Sequence, residues 1–430
     1  MKIRKTSLVL LGAAVGAALT IVATQPVLVG SDADAKTVTK PEVYRLLNLF
    51  GDAFEQVRSH YVERPNDATL VQTAVNGMLA DLEDSYYIDP QALGRVEACT
   101  GPRCATAFGN VGVAYTMQDG LATVVTSIDD TPAAKAGIMT GDLIARVDDE
   151  QVQGLTYQQF GTKLVGEVGS TVKLTIVHPG GDKPIDLSIV RDNATRRSVR
   201  GRGEGGDIGY IRIIQFNEST ADQLKKAIDD ISAQVPPEKL RGYVIDLRNN
   251  PGGTLDGAIA AADGFLDDGE IVSIRHRTSD KVERFRAKAG DLAGGKPIIV
   301  LINGGSAAKA EIVAGALKDN HRATVVGTRS FGEGWDSTTV PLGPNKGALR
   351  LATGHYITPS GRLIQSNGIV PDIEAPQDVP DALKVKAAAK TKDKDQPALQ
   401  SYIPPDPAAD KALTAAYALL RKNVADAHAR

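Results

Sequence analysis

Apolar residues recur at Val43, Leu46, Leu47, Phe50, Phe54 and Val57, steps of three and four that lay one stripe along a helix opened by Pro41. A second helical pattern follows through Leu70 to Leu82. From Ile208 onward the period changes. Short apolar runs at 208–214, 242–247, 298–302, 323–326 and 348–356 predict strands, and amphipathic stretches at 220–234, 255–265 and 309–318 predict helices between them. Strands alternating with helices imply an α/β fold built on a mixed sheet. Leu143 to Val147 predicts a further strand in the preceding segment. After Pro380 a Lys/Ala/Asp-rich stretch low in aromatics reads as a linker, closed by the helix-compatible run 409–427.

The first residues follow a different rule. Lys2, Arg4 and Lys5 precede an apolar run from Ser7 to Ala23, and Ala33-Asp34-Ala35 follows, so residues 1–35 read as a secretory signal with cleavage after Ala35. An uncleaved membrane anchor is the rival reading, because about 17 apolar residues is the lower limit for a span. No later stretch is apolar enough to cross a bilayer. The expectation is an exported protein, periplasmic in a Gram-negative source, membrane-tethered if the signal stays, and otherwise without a permanent span.

A chain of 430 residues, 42% hydrophobic and 23% charged, has material for two to three soluble domains. Its net charge of -3 argues against a nucleic-acid partner, which needs a clustered basic field. The two cysteines, Cys99 and Cys104, flank Gly101-Pro102; in an oxidising compartment they would close a small disulfide loop, with two free thiols as the alternative. The six histidines form no ligand-spaced set, so neither metal nor cofactor is expected. The carboxylate runs Asp129-Asp130, Asp148-Asp149-Glu150 and Asp267-Asp268 read as solvated turns.

Three motifs carry candidate chemistry. Phe108-Gly109-Asn110-Val111-Gly112-Val113 followed by Thr131 to Val152, TPAAKAGIMTGDLIARVDDEQV, resembles a PDZ module over 108–193. The resemblance implies that Gly109, Asn110, Val111, Gly112 and Val113 turn backbone N–H groups toward a peptide's terminal carboxylate, the peptide adding as a strand to the sheet edge. DLRNNPGG, Asp246 to Gly253, follows an apolar strand and could be a plain β-turn or a glycine pair exposing N–H donors. Residues 297–341, PIIVLINGGSAAKAEIVAGALKDNHRATVVGTRSFGEGWDSTTVP, complete the set. Together, over roughly 41–425, these segments resemble the carboxyl-terminal processing peptidases, or tail-specific proteases, whose stretches run S-A-S-A-S-E-I, F-G-K-G and D-L-R-x-N-x-G-G.

That resemblance implies an N-terminal helical region at 36–95, a Cys-containing loop at 96–107, the PDZ domain at 108–193, a mixed α/β peptidase-like core at 194–380, and a linker with C-terminal helix at 381–430. It also implies an oxyanion hole from the amides of Gly252, Gly253 and Lys309. The family's nucleophilic serine, its lysine base 25 positions on and a glutamine four further are matched here by Ala308, Glu333 and Ser337. Without a hydroxyl at 308 no acyl-enzyme forms there. The expectation is a pseudopeptidase that binds C-terminal tails or regulates an active relative, with a homodimer through the N-terminal helices as a further implication. The alternative is a working serine endopeptidase using Ser306 and Lys309, which form an S-x-x-K entering a helix, although Ser306 also suits a helix cap. Lys309 and Glu333 could instead pair as ions across the old site. Trp335 either lines the peptide groove or packs.

Overall fold

The computed structural model describes residues 40–80, 82–98, 109–118, 121–178, 183–193, 198–277, 282–379 and 400–428. The predicted signal, the 381–399 linker, Phe108 and both cysteines lie outside them. The chain divides after Val71 into two compact units. The first carries helix α1 (Lys40–His60), none of whose residues is buried: Val43, Leu46, Leu47, Phe50 and Val57 all stand exposed. The stripe read from the sequence is therefore present but not packed against its own unit. Helix α2 (Asp67–Leu79) spans the division.

The second unit opens with β1 (Tyr86–Ile88) and α3 (Pro90–Ala98), then builds the PDZ-like module. This holds β2 (Val113–Gln118), β3 (Leu121–Ser127), α4 (Pro132–Lys135), β4 (Leu143–Val147), β5 (Glu150–Gln151), α5 (Tyr157–Leu164), β6 (Thr171–Val177) and β7 (Ile185–Val190). Its sheet runs β2-β3-β4-β6-β7, which leaves β2 on an edge. Helix α5 starts at a capping box in which Thr156 and Gln159 satisfy each other's backbone N–H groups.

The core follows as β8 (Val199–Glu204), β9 (Ile208–Ile213), α6 (Thr220–Gln234), β10 (Tyr243–Asp246), α7 (Leu255–Asp263), β11 (Glu270–His276), β12 (Val282–Arg286), β13 (Ile298–Ile302), α8 (Lys309–Asp319), β14 (Ala323–Gly327), β15 (Trp335–Pro341), β16 (Ala348–Ile357), β17 (Ile373–Glu374) and α9 (Lys411–His428). One sheet runs β17-β14-β13-β10-β9-β8, parallel except for the β8–β9 pair. Strands β10 and β13 are buried throughout, as parallel strands covered on both faces must be. Helices α6, α7 and α8 cover one face, with Ile211, Ile245, Val300 and Leu317 in that core. Helix α9 covers the other through Leu413, Ala416 and Leu420 against Val244 and Leu301, the docking site the sequence left open.

The 348–356 strand does not join this sheet. Strand β16 instead pairs antiparallel with β1, β11 and β15 in a second sheet. Tyr86–Ile88, placed by the sequence in the N-terminal helical region, is thus part of the core.

A buried charge chain ties the layers together. Arg248 donates through Nε and Nη2 to Asp246, at 3.0 and 2.6 Å, and through Nη1 to Asp410 at 2.9 and 2.7 Å, where Asp410 also accepts the Leu413 N–H at the start of α9. Arg212 joins Asp246 to Asp129 of the PDZ-like module, its Nε 2.8 Å from Asp129 Oδ2. Asp129 is accordingly an ion-pair partner and not the solvated turn residue expected. The flanking arginines hold the Asp246 carboxyl well below the usual carboxylate range in spite of its burial.

Removing one member of a buried pair leaves the other uncompensated. Arg248→Ala should destabilise the protein by about 3–5 kcal/mol, read as a lower urea midpoint, whereas exposed Lys226→Ala, which breaks only the Lys226–Asp230 pair, should shift it by less than about 1 kcal/mol.

Candidate active site

The strand-to-helix turn between β13 and α8 holds the first site position. Ala308 is 6% exposed and adopts φ 50°, ψ -113°. A residue with a Cβ in such a region stores about 1–3 kcal/mol, and elbows of this kind are where a side chain is presented above a sheet. Here the side chain presented is a methyl group.

Ser306 does not turn toward this site. Its hydroxyl donates to the Leu247 carbonyl at 2.9 Å and accepts the Asn303 N–H at 3.0 Å, joining the ends of β10 and β13 with no exposure to solvent. Among the described residues it has no hydrogen bond to Lys309, and it does not cap α8. The N–H of Ala308 goes instead to Glu311 Oε2 at 2.9 Å.

The DLRNNPGG turn lies against this elbow. Gly252 has φ 101°, and a Cβ built on it would stand 3.0 Å from both Ala308 Cβ and Lys309 N. Gly253 has φ 131°, and its Cβ would overlap the Phe216 carbonyl at 2.0 Å, so both glycines are dictated by close approach. The Gly252 N–H donates to Asn250 Oδ1 at 2.8 Å and is not free for an oxyanion. The Gly253 and Lys309 N–H groups have no acceptor among the described residues, so at most two of the three expected donors stand open.

Glu311 is the residue that sequence reasoning missed. It is fully buried in α8, where its carboxylate accepts from Ala308 N (2.9 Å), Ser330 Oγ (2.5 Å), Gly332 N (2.8 Å) and Glu333 N (2.8 Å). Burial pushes its carboxyl up to about 7, against the pull of these bonds. Its signal was visible: a lone Glu in the otherwise apolar run AEIVAGAL needs buried partners.

Through Glu311 Oε2 the N–H groups of Ala308 and Glu333 share one oxygen. The Glu333 side chain is also pushed up to about 7, first by burial and then by Asp84, while Lys309 and Arg350 oppose the rise. Lys309 sits with its Nζ 4.9 Å over the Tyr356 ring, its pKa lowered by burial although Glu333 and Asp336 favour its charge. Among the described residues no ion pair within 4.0 Å joins Lys309 to Glu333, so the proposed replacement pair is not formed. Ser337 donates to Asp84, and Trp335 Nε1 donates to Glu83 at 3.0 Å while its ring packs on His355 with centroids 4.3 Å apart.

At the PDZ-like loop, Gly109 and Gly166 exchange N–H bonds at 2.7 and 3.1 Å, and the Asn110 N–H goes to the Asp192 carbonyl at 3.0 Å. With the Gly112 N–H, three of the five expected donors are therefore engaged. Gly112 has φ 83°; its Cβ would meet the Thr131 side chain at 2.2 Å, and its N–H is held by Asn110 Oδ1 at 3.0 Å. Val111 and Val113 are buried. A cleft of about 340 Å³ opens between this loop and the core, lined by Asn110, Gly112, Asp192 and Asn217 among others. No three metal-ligating side chains converge among the described residues.

Residues 207–375 match the model of peptidase family S41, and 109–189 match a PDZ domain. The chain is 46% identical to a carboxy-terminal-processing protease of Bartonella bacilliformis over 404 residues, covering 91% of this chain and 92% of that one. It is 31% identical to the carboxy-terminal processing protease CtpA of Bacillus subtilis, covering 77% of this chain and 69% of that protein. The photosystem II D1 C-terminal processing protease is similar in structure, with TM-score 0.64 at 26% identity, over 76% of this chain and 92% of that one.

Raised carboxyl pKa values have a definite sign. Glu311 and Glu333 each favour the protonated folded form, so the stability they confer is full below about 4.5, falls as pH rises, and is lost above about 7. Glu333→Gln should raise stability at pH 8 by roughly 1–2 kcal/mol and flatten the slope between pH 5 and 7 in urea titrations. Glu311→Gln should do the opposite, destabilising by about 3 kcal/mol, because one amide oxygen cannot serve the donors around it and an NH2 would face them.

Proposed function

This chain belongs to the carboxy-terminal processing protease family, peptidase family S41, and on that footing we propose that it is a member which recognises protein C-terminal tails without cleaving them. Such a pseudopeptidase holds tails through its PDZ domain or regulates an active relative. The carrying observation is the methyl group of Ala308 in the strained elbow, beside open N–H groups on Gly253 and Lys309. An oxyanion hole with no nucleophile binds a carbonyl but opens no acyl path. The rival serine endopeptidase needs Ser306 to face Lys309, and the Ser306 hydroxyl is engaged by Leu247 and Asn303. The exposed stripe of α1 supports a homodimer, and residues 1–35 support export to a periplasm-like compartment; among the described residues no helix is long and apolar enough to cross a membrane.

Purified protein incubated with unfolded and C-terminally tagged substrates should leave them intact, as should its Ser306→Ala variant. Cleavage by the native chain that disappears in Ser306→Ala would overturn the proposal. Restoring the family's groups with Ala308→Ser, Glu333→Lys and Ser337→Gln together should produce hydrolysis at least about 100-fold faster than Ala308→Ser alone, since a serine without its base gains little.

Tail binding depends on the loop as well. Gly112→Val, which forces a side chain into Thr131, should weaken capture of a free-carboxylate peptide by at least about 10-fold in a fluorescence titration, and an unchanged affinity would remove the loop from the binding site.

A further inference from the structure

Strand β2 is the edge of the PDZ sheet, and the loop 109–113 opens directly into it. A peptide that adds as a strand to this edge, with its carboxylate at the loop, must set its last side chains beside Val113 to Tyr115. That space is filled from within. The Tyr115 side chain crosses to α5, where its hydroxyl donates to the Tyr157 carbonyl at 2.9 Å. Its ring stacks on Tyr157 with centroids 4.5 Å apart and meets Phe160 edge-on at 4.6 Å. On the other side Tyr86 of β1 stacks on Tyr157 at 4.4 Å, which fixes the ring against which Tyr115 rests.

Gly161 is the seat of that hydroxyl. A Cβ built there would lie 2.4 Å from Tyr115 Oη, and nothing else but the same phenol ring comes within 4 Å. A glycine inside a helix is disfavoured relative to alanine, and this one sits in no left-handed turn. Accommodation of Tyr115 is the requirement it meets. Tyr115 packs against the buried cluster that holds Val111, Val113, Phe160 and Leu164, so its ring takes up the space beside them.

We propose that Tyr115 and Gly161 form a matched pair that sets the depth of the tail pocket, restricting it to tails whose terminal side chain is as small as alanine or glycine. This deepens the tail-binding reading and rests on it. The terminal carboxylate itself meets no such barrier, since the Asn110 Oδ1 on the Gly112 N–H is a local contact that one carboxylate oxygen replaces.

The test uses the full chain and fluorescein-labelled hexapeptides that differ only in ending on Ala or Phe, each also as the C-terminal amide. The native protein should bind the Ala-ended acid at least about 10-fold more tightly than the Phe-ended acid. Tyr115→Ala should bring the two within about 2-fold by gaining affinity for Phe. Gly161→Ala, which pushes the phenol aside while favouring the helix, should relax the preference in the same direction and covers the case in which Tyr115→Ala does not fold. Tyr115→Phe, which keeps the ring, should retain the native preference. Equal binding of both acids by the native chain, or a preference unmoved in both cavity-altering variants, overturns the pair's role while leaving tail binding standing. Amides that bind as well as acids, or no binding by any variant, overturn tail recognition itself.

Discussion

The carboxylate of Glu311 is the contact on which the arrangement of this site depends. A carboxyl group in the buried interior of a helix whose residues from Ala310 to Leu317 are all buried is unfavourable unless its lone pairs are met. Four donors meet them, and three are backbone N–H groups, of Ala308, Gly332 and Glu333. Because backbone donors cannot rotate away, satisfying the carboxylate fixes both the elbow and the loop that carries residue 333. The strained torsions of Ala308 are thus compensated by a hydrogen bond at its own nitrogen, and the strain persists although the side chain has nothing to present.

The side chains of Ala308, Glu333 and Ser337 make none of the bonds to Glu311, so each could change without disturbing one of them. The groups that shape the site are backbone: the Gly252 and Gly253 approach, the Ala307 N–H on the Asn250 carbonyl, and the loop amides around Glu311. Glu333 illustrates the consequence. It occupies a position whose backbone is held by Glu311 and whose side chain is desolvated and beside Asp84, both of which penalise a second carboxylate there.

Much of this was legible in the sequence for physical reasons that are local. Strands β9, β10, β13 and β14 and helices α6 and α8 follow from periodicity alone, and Gly252, Gly253 and Gly112 announce tight approaches that no other residue tolerates. What was not legible depends on partners distant in the chain. Nothing near Ala348 says that β16 leaves the parallel sheet to pair with β1, 262 residues earlier at the Tyr87–Leu349 pair. Ser306 looks like a helix cap because caps are recognised locally, while its actual acceptor is Leu247, 59 residues away. Gly161 reads as a weak helix position until Tyr115 is seen to need the space.

The charge chain from Asp129 through Arg212, Asp246 and Arg248 to Asp410 gives the PDZ domain a fixed relation to the elbow at Ala308. Asp246 and Arg248 belong to the same DLRNNPGG turn that places Gly252 beside Ala308, so the PDZ domain and the C-terminal helix are both anchored on the turn that shapes the carbonyl-binding face. Gln400 and Ser401 add a second tie: the Gly304 N–H reaches Gln400 at 2.6 Å, and Ser401 Oγ accepts the Thr140 N–H of the PDZ domain at 3.1 Å. The β2 edge therefore lies at a set distance from the elbow, whatever side chain residue 308 carries.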